Sequence, residues 1–184
     1  MIGKGFTAVL TAAQQGSDAA FSQLWRDTNP PLVRYLRVIA PEAAEDIAAD
    51  TWLKVLHGLA GFRGEEQAWR AWVFTISRRR VIDERRRAAR RPVVQLAELP
   101  PAVLPSAADA ADEALERIST ATAIAMLAHL PPLQAEIILL RVVAGLDTEA
   151  VARLVGRSPG AVRVAAHRGL RRLAQVAAEA GVTL

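Results

Sequence analysis

The chain has 184 residues, 52% hydrophobic and 5% aromatic, with 23 basic and 19 acidic side chains for a net charge of +4. That length holds one ordinary domain or two small ones, and abundant Ala and Leu with few aromatics favours compact helices over β-sandwiches. There is no cysteine, so disulfides, Cys-ligated zinc and thiol catalysis are excluded, and a pI near 10.5 suits an acidic partner.

Residues 1–10 carry one lysine and no apolar core of signal-peptide length. No apolar run approaches the roughly 20 residues of a membrane span. The expectation is a soluble, cytoplasmic protein without membrane insertion. Only Lys4 and Lys54 are lysines; the other basic residues are arginines. A high-GC genome produces this bias with no functional meaning, while arginine is also the better fork for phosphates and guanine edges.

Along the chain, Ser17 is a cap candidate for a helix in which Phe21, Leu24 and Trp25 share a face, and Asn29-Pro30-Pro31 is read as its stop. Leu32, Val33, Leu36 and Ile39 mark a second helix ending near Pro41. A third begins about Glu42, with an apolar stripe of Ala48, Trp52, Val55, Leu56 and Leu59, and ends at Gly58 and Gly61. On its polar side Asp46, Asp50 and His57 surround Leu53, and a leucine exposed among carboxylates suits protein docking.

After a loop over residues 61–67, Trp69, Trp72, Val73 and Ile76 follow helical spacing and open a long fourth helix. Eight arginines fall within residues 77–91. Beside them the two tryptophans fit either stacking surfaces for unpaired bases or simple core positions. Residues 92–116 then carry five acids, no basic residue and four prolines, which reads as a flexible acidic linker joining a helix near Ala111. The flanking segments are basic, at +5 for residues 1–91 and +4 for residues 117–184.

The C-terminal segment predicts a helix over residues 114–130 and another over residues 132–144, with Pro132 at its first turn and Gly145 as its cap. A helix-turn-helix follows. Asp147 caps a short helix with apolar Val151, Leu154 and Val155; Gly156 permits the turn; Ser158 caps the last helix and Pro159 opens it. On a helical wheel Val162, Ala165, Ala166, Gly169, Leu170 and Leu173 face inward. Gly160, Arg163, Val164, His167, Arg168 and Arg171 face outward, with Arg172 at the edge. Arg163 can fork onto guanine, Val164 can meet a thymine methyl, and small Gly160 and Ala161 let the helix end approach a duplex. Arg171 and Arg172 suit phosphates.

These features resemble the extracytoplasmic-function (ECF) group of RNA polymerase sigma factors over nearly the whole chain. Residues 44–53 look like the conserved region 2 helix that binds the clamp helices of core RNA polymerase, implying contacts through Asp46, Asp50, Leu53 and His57. Residues 61–72 resemble the loop and helix start that open promoter DNA and trap a flipped base, implying Phe62, Arg63, Trp69 and Trp72. Residues 76–87 resemble the helix at the upstream edge of the minus-ten element, implying Arg78, Arg79, Arg80, Asp83, Arg86 and Arg87. The helix-turn-helix resembles region 4, which binds the minus-thirty-five element and the polymerase flap, implying Ser158, Gly160, Ala161, Arg163, Val164, His167, Arg168, Arg171 and Arg172. The chain departs from the family at Ala49, where glutamine is common, and at Arg79, where asparagine is common.

The expected fold is all-α: region 2 over residues 1–91, a flexible acidic linker over residues 92–112 and region 4 over residues 113–184. About 20 extended residues reach at most roughly 70 Å, enough to join domains one to two DNA turns apart. The resemblance implies promoter-specific initiation with core polymerase, promoter DNA and an anti-sigma factor as partners, and no cofactor. A repressor or activator using the same helix-turn-helix is the nearest alternative. His57, His129 and His167 lie far apart in sequence without metal-ligand spacing, which argues against a metal site or an enzyme.

Overall fold

The computed structural model describes residues 1–90, 126–127 and 129–179, and among them every regular element is helical. The N-terminal bundle consists of α1 (Phe6–Gln14), α2 (Asp18–Ile39), α3 (Ala44–Leu59) and α4 (Glu66–Arg90). The C-terminal bundle consists of α5 (Pro132–Ile138), which widens into a π-helical turn at Leu139–Val143, then α6 (Thr148–Val155) and α7 (Pro159–Glu179). The expected linker and most of the helix over residues 114–130 lie outside the described residues.

Helix α1 has no counterpart in the sequence reading. Phe6, Leu10 and Ala13 recur at helical spacing and are all buried, which places it against α2. Ser17 caps α2 as expected, its hydroxyl accepting from the Ala20 N–H at 3.3 Å.

Asn29-Pro30-Pro31 does not end that helix. α2 runs 22 residues straight through both prolines. The prolines delete two N–H donors, which deprives the Arg26 and Asp27 carbonyls of their helical partners. Pro30 and Arg26 are exposed, while Leu24, Thr28, Leu32, Tyr35 and Leu36 form one continuous buried stripe. The core on that stripe holds the helix together. Asn29 ties it to α3 by accepting from Trp52 Nε1 at 2.9 Å.

In α3 the expected stripe is buried except for Leu56, which is 49% exposed, and Trp25 on α2 is likewise 41% exposed. Gly58 serves the packing: a Cβ there would meet the Trp72 ring at 2.7 Å, so its absence lets the indole of α4 lie against α3.

The helix-turn-helix forms as read. Asp147 Oδ1 accepts from the Ala150 N–H at 2.6 Å, Gly156 takes a left-handed φ of 68°, and Ser158 Oγ accepts from the Ala161 N–H at 3.2 Å. Gly145, at φ 67°, closes the π-helical turn. α7 packs closely on α5, because a Cβ at Gly169 would lie 2.7 Å from Ile138 Cδ1.

One hydrophobic core runs through both bundles. α2 packs on α5 and its π-helical turn, and α4 packs on α6. The two bundles are therefore docked on one another.

Candidate nucleic-acid interface

The outward face of α7 is built as the wheel requires. Gly160, Ala161, Arg163, Val164, His167, Arg168, Arg171 and Arg172 are all exposed, while Val162 and Gly169 are buried. Ser158 is exposed too, but its hydroxyl serves as the helix cap. Leu170 departs from the inward set at 49% exposure. From Arg163 to Arg172 the helix advances about 13 Å, so this basic face spans several phosphates of a groove.

The basic run of α4 divides into engaged and unengaged arginines. Arg78 pairs with Glu136 of α5 at 2.8 Å, Arg80 with Asp50 of α3 at 2.9 Å, and Arg87 with Glu84 at 3.1 Å. Arg85 donates to the Ile39 carbonyl at 2.8 Å, which fastens α4 to the end of α2. Arg79 and Arg86 are exposed and have no ion pair among the described residues. Asp83 is half-buried.

The two tryptophans take different roles. Trp69 is 1% exposed, and its indole N–H donates to Thr28 Oγ1 at 3.0 Å. It is a core residue, so its expected place among base contacts is corrected: no ring face is left for a base. Trp72 is half-buried and stacks on Phe62, with centroids 4.9 Å apart and planes 25° apart. The loop before α4 is held in place by Gln14 Nε2, which donates to the carbonyls of Leu59 and Phe62 at 2.9 and 2.8 Å. Arg63 turns back on its own loop, donating to the Ala60 and Phe62 carbonyls at 2.8 and 2.7 Å.

Two sets of residues that sequence kept apart meet in one groove of about 600 Å³ between α3 and α4. Asp50, Leu53 and His57 line one wall, and Trp72, Ile76 and Arg80 the other. Leu53 is 55% exposed. Asp46 is exposed one turn before Asp50. His57 Nδ1 lies 2.6 Å from the Leu53 carbonyl, so that nitrogen carries the proton and donates. The departure at Ala49 is exposed on the same helix.

Among the described residues no three His, Cys, Asp or Glu side chains gather to hold a metal, and no helix is long and apolar enough to cross a membrane.

Residues 24–91 match the model of Sigma-70 region 2, and residues 121–173 match that of Sigma-70, region 4. Over 98% of its length the chain is 33% identical to the ECF RNA polymerase sigma factor SigD of Mycobacterium tuberculosis, spanning 88% of that protein. The chain belongs to the ECF RNA polymerase sigma factors. The sigma factor shares its fold with CnrH, solved in complex with the cytosolic domain of CnrY, at a TM-score of 0.63 and 23% identity, covering 94% of this chain and 97% of that one. It shares it equally with the sigma factor RpoE, solved in complex with the anti-sigma factor NepR from Bartonella quintana, at 0.60 and 23%, covering 84% and 94%. As an ECF sigma factor it directs promoter-specific initiation by binding core polymerase and promoter DNA, in a family of non-catalytic transcription regulators.

Sequence reasoning missed the seam between the bundles. Glu136 meets Tyr35 and Arg78 there, and Arg70 donates to the Ala144 carbonyl; of these only Arg78 was a candidate. A signal was present: Tyr35 is the only tyrosine, and Glu136 is the only acid in the apolar stretch from Leu130 to Leu146.

Proposed function

We propose that this sigma factor divides its work unequally between its bundles. α7 reads the minus-thirty-five element as duplex, with Arg163 and Val164 at base edges, His167 and Arg168 beside them, and Arg171 and Arg172 on phosphates. The small residues Gly160 and Ala161 allow the close approach of the helix end. The α3–α4 groove docks the polymerase clamp helices through Asp46, Asp50, Leu53 and His57. Phe62, Arg63 and Trp72 capture unpaired bases, and Arg78, Arg79, Arg80, Asp83, Arg86 and Arg87 border the minus-ten edge. The domains that carry these roles are residues 1–91 and 113–184, joined by an acidic linker over residues 92–112. The chain makes and breaks no bond and acts in the cytoplasm. An anti-sigma factor controls it, a reading supported by the fold shared with a sigma factor solved bound to one.

The observation that carries this reading is the outer face of α7: every proposed contact is exposed on a capped helix-turn-helix whose opposite face is packed. Run-off transcription with purified core polymerase tests it. Arg163→Ala should weaken recognition of the upstream element by about 1–3 kcal/mol, the worth of one forked base contact, with polymerase affinity unchanged. Leu53→Asp should lower polymerase affinity and leave binding of upstream duplex intact. If the two effects are exchanged, the assignment of the surfaces is wrong.

A further inference from the structure

We propose that Gln14 of α1 is a positioning residue for base capture, a role that rests on reading Phe62 and Trp72 as the place where an unpaired base is held. Its amide sets the loop between α3 and α4 so that the Phe62 ring stands against Trp72. Gln14 Nε2 donates to the Leu59 carbonyl at 2.9 Å and to the Phe62 carbonyl at 2.8 Å. An amide nitrogen carries two protons, so one side chain satisfies both acceptors. Turned over, the amide would set its oxygen against two carbonyl oxygens, so the partners fix its orientation.

The two carbonyls mark the ends of the loop's first turn. Leu59 is the last residue of α3, and a helix end leaves its final carbonyls without intrahelical donors. The Phe62 N–H returns to the Leu59 carbonyl at 3.1 Å, which draws residues 59–62 into a turn against the Gln14 amide. Further on, Gly64 has a φ of 152°, and a Cβ there would lie 2.8 Å from Ala68 Cβ and 3.2 Å from Phe62 Cζ. The loop therefore closes on the Phe62 ring at Gly64 and is tied to α1 behind it. The ring itself meets Trp69 edge-on, with centroids 5.5 Å apart and planes at 81°, and stacks on Trp72.

Gln14 is built for this contact. It lies one turn after Leu10, at the end of the α1 face that carries Phe6, Leu10 and Ala13, and it is half-buried. A polar side chain in that place is unfavourable without partners, and the loop carbonyls supply them. Among the described residues, no other side chain from outside this loop donates to the Phe62 carbonyl; the second donor is Arg63 of the loop itself. The match to Sigma-70 region 2 begins at residue 24, so the contact reaches the loop from outside the matched segment. A loop already held loses less freedom when a base stacks on it, so the amide favours capture without touching the base.

The test uses holoenzyme assembled from the full chain and core polymerase, on a promoter from which the parent initiates. Forks of that promoter carry a single-stranded minus-ten segment with an abasic site at each position in turn. For the parent, the position whose abasic fork binds most weakly is the captured base. Gln14→Ala removes the donors without crowding a half-buried site, and Gln14→Glu keeps the shape but turns a carboxylate on both carbonyls. Each should weaken binding of the intact fork about tenfold and leave the abasic fork bound as by the parent. Affinity for core polymerase and for upstream duplex should not change. An abasic penalty as large in Gln14→Ala as in the parent overturns the positioning role. An equal loss on intact and abasic forks means that Gln14 serves folding alone, and overturns it too. Gln14→Ala decides the matter if Gln14→Glu does not fold. If the parent shows no abasic penalty at any position, the capture reading itself fails and the role of Gln14 falls with it.

Discussion

At the scale of single residues, missing atoms are as informative as charged ones. Gly169 lies where α7 crosses α5, and a methyl there would meet Ile138 Cδ1 at 2.7 Å, Leu130 Cδ2 at 3.2 Å and Gln134 Cβ at 3.3 Å. Gly169→Ala gains up to about 1 kcal/mol of helix propensity but overpacks a closed contact, which typically costs about 1–3 kcal/mol. Net destabilisation of about 1 kcal/mol is expected in denaturant melts, together with weaker upstream-element binding as α7 is pushed off its seat. A variant as stable as the parent would show that the crossing is loose. The wheel placed Gly169 inward correctly, but no helical period distinguishes a glycine that must be glycine from one that is merely tolerated. Trp69 and Trp72 make the same point. Their spacing put both on one side of α4, yet Thr28 claims one indole and Gly58 with Phe62 the other. Those neighbours are distant in sequence.

At the scale of elements, caps and turns were legible because each is decided within four residues. Ser17, Asp147, Gly156 and Ser158 do what their side chains or conformations dictate locally. The proline pair misled because its local penalty is outweighed by a buried stripe that runs the whole length of α2. Tyr35, on that stripe, gives α2 a pH dependence. Burial first, and the Glu136 carboxylate second, push its phenol well above the ordinary value of 10.0. The folded chain thus holds the phenolic proton more tightly than the unfolded one. Stability from this group is intact below about pH 10 and declines as pH rises beyond it. Tyr35→Phe should therefore differ from the parent by a constant amount below that value, about 1.5–3 kcal/mol for a hydrogen bond to a charged acceptor. Above it the parent alone should lose stability steeply, narrowing the gap. A gap that does not change between neutral and strongly alkaline pH in denaturant titrations would mean the phenol is not held in this way.

At the scale of the whole molecule, charge was legible as two basic segments flanking an acidic one, but their docking was not, because the seam is bridged by Tyr35, Gln67, Arg70, Arg78 and Glu136, which come from distant parts of the chain. Docking leaves the two proposed DNA surfaces in different states. The α7 face is open, whereas Arg78 and Arg79 of α4 lie at the seam. The free factor should therefore bind upstream duplex through α7 alone, and the salt dependence should reveal which arginines neutralise phosphates. Each phosphate contact contributes about 0.9 to the slope of log affinity against log salt. Replacing both Arg171 and Arg172 by Ala should reduce the slope by roughly 1.8 and keep the sequence preference, since phosphates carry no sequence information. Arg163→Ala should do the opposite, flattening the preference while changing the slope little. Fluorescence anisotropy on matched and scrambled duplexes across a salt series separates the two. A loss of preference in the Arg171 and Arg172 double variant would place base readout further along α7, and the helix would then enter the groove by its middle and not by its capped N-terminal end.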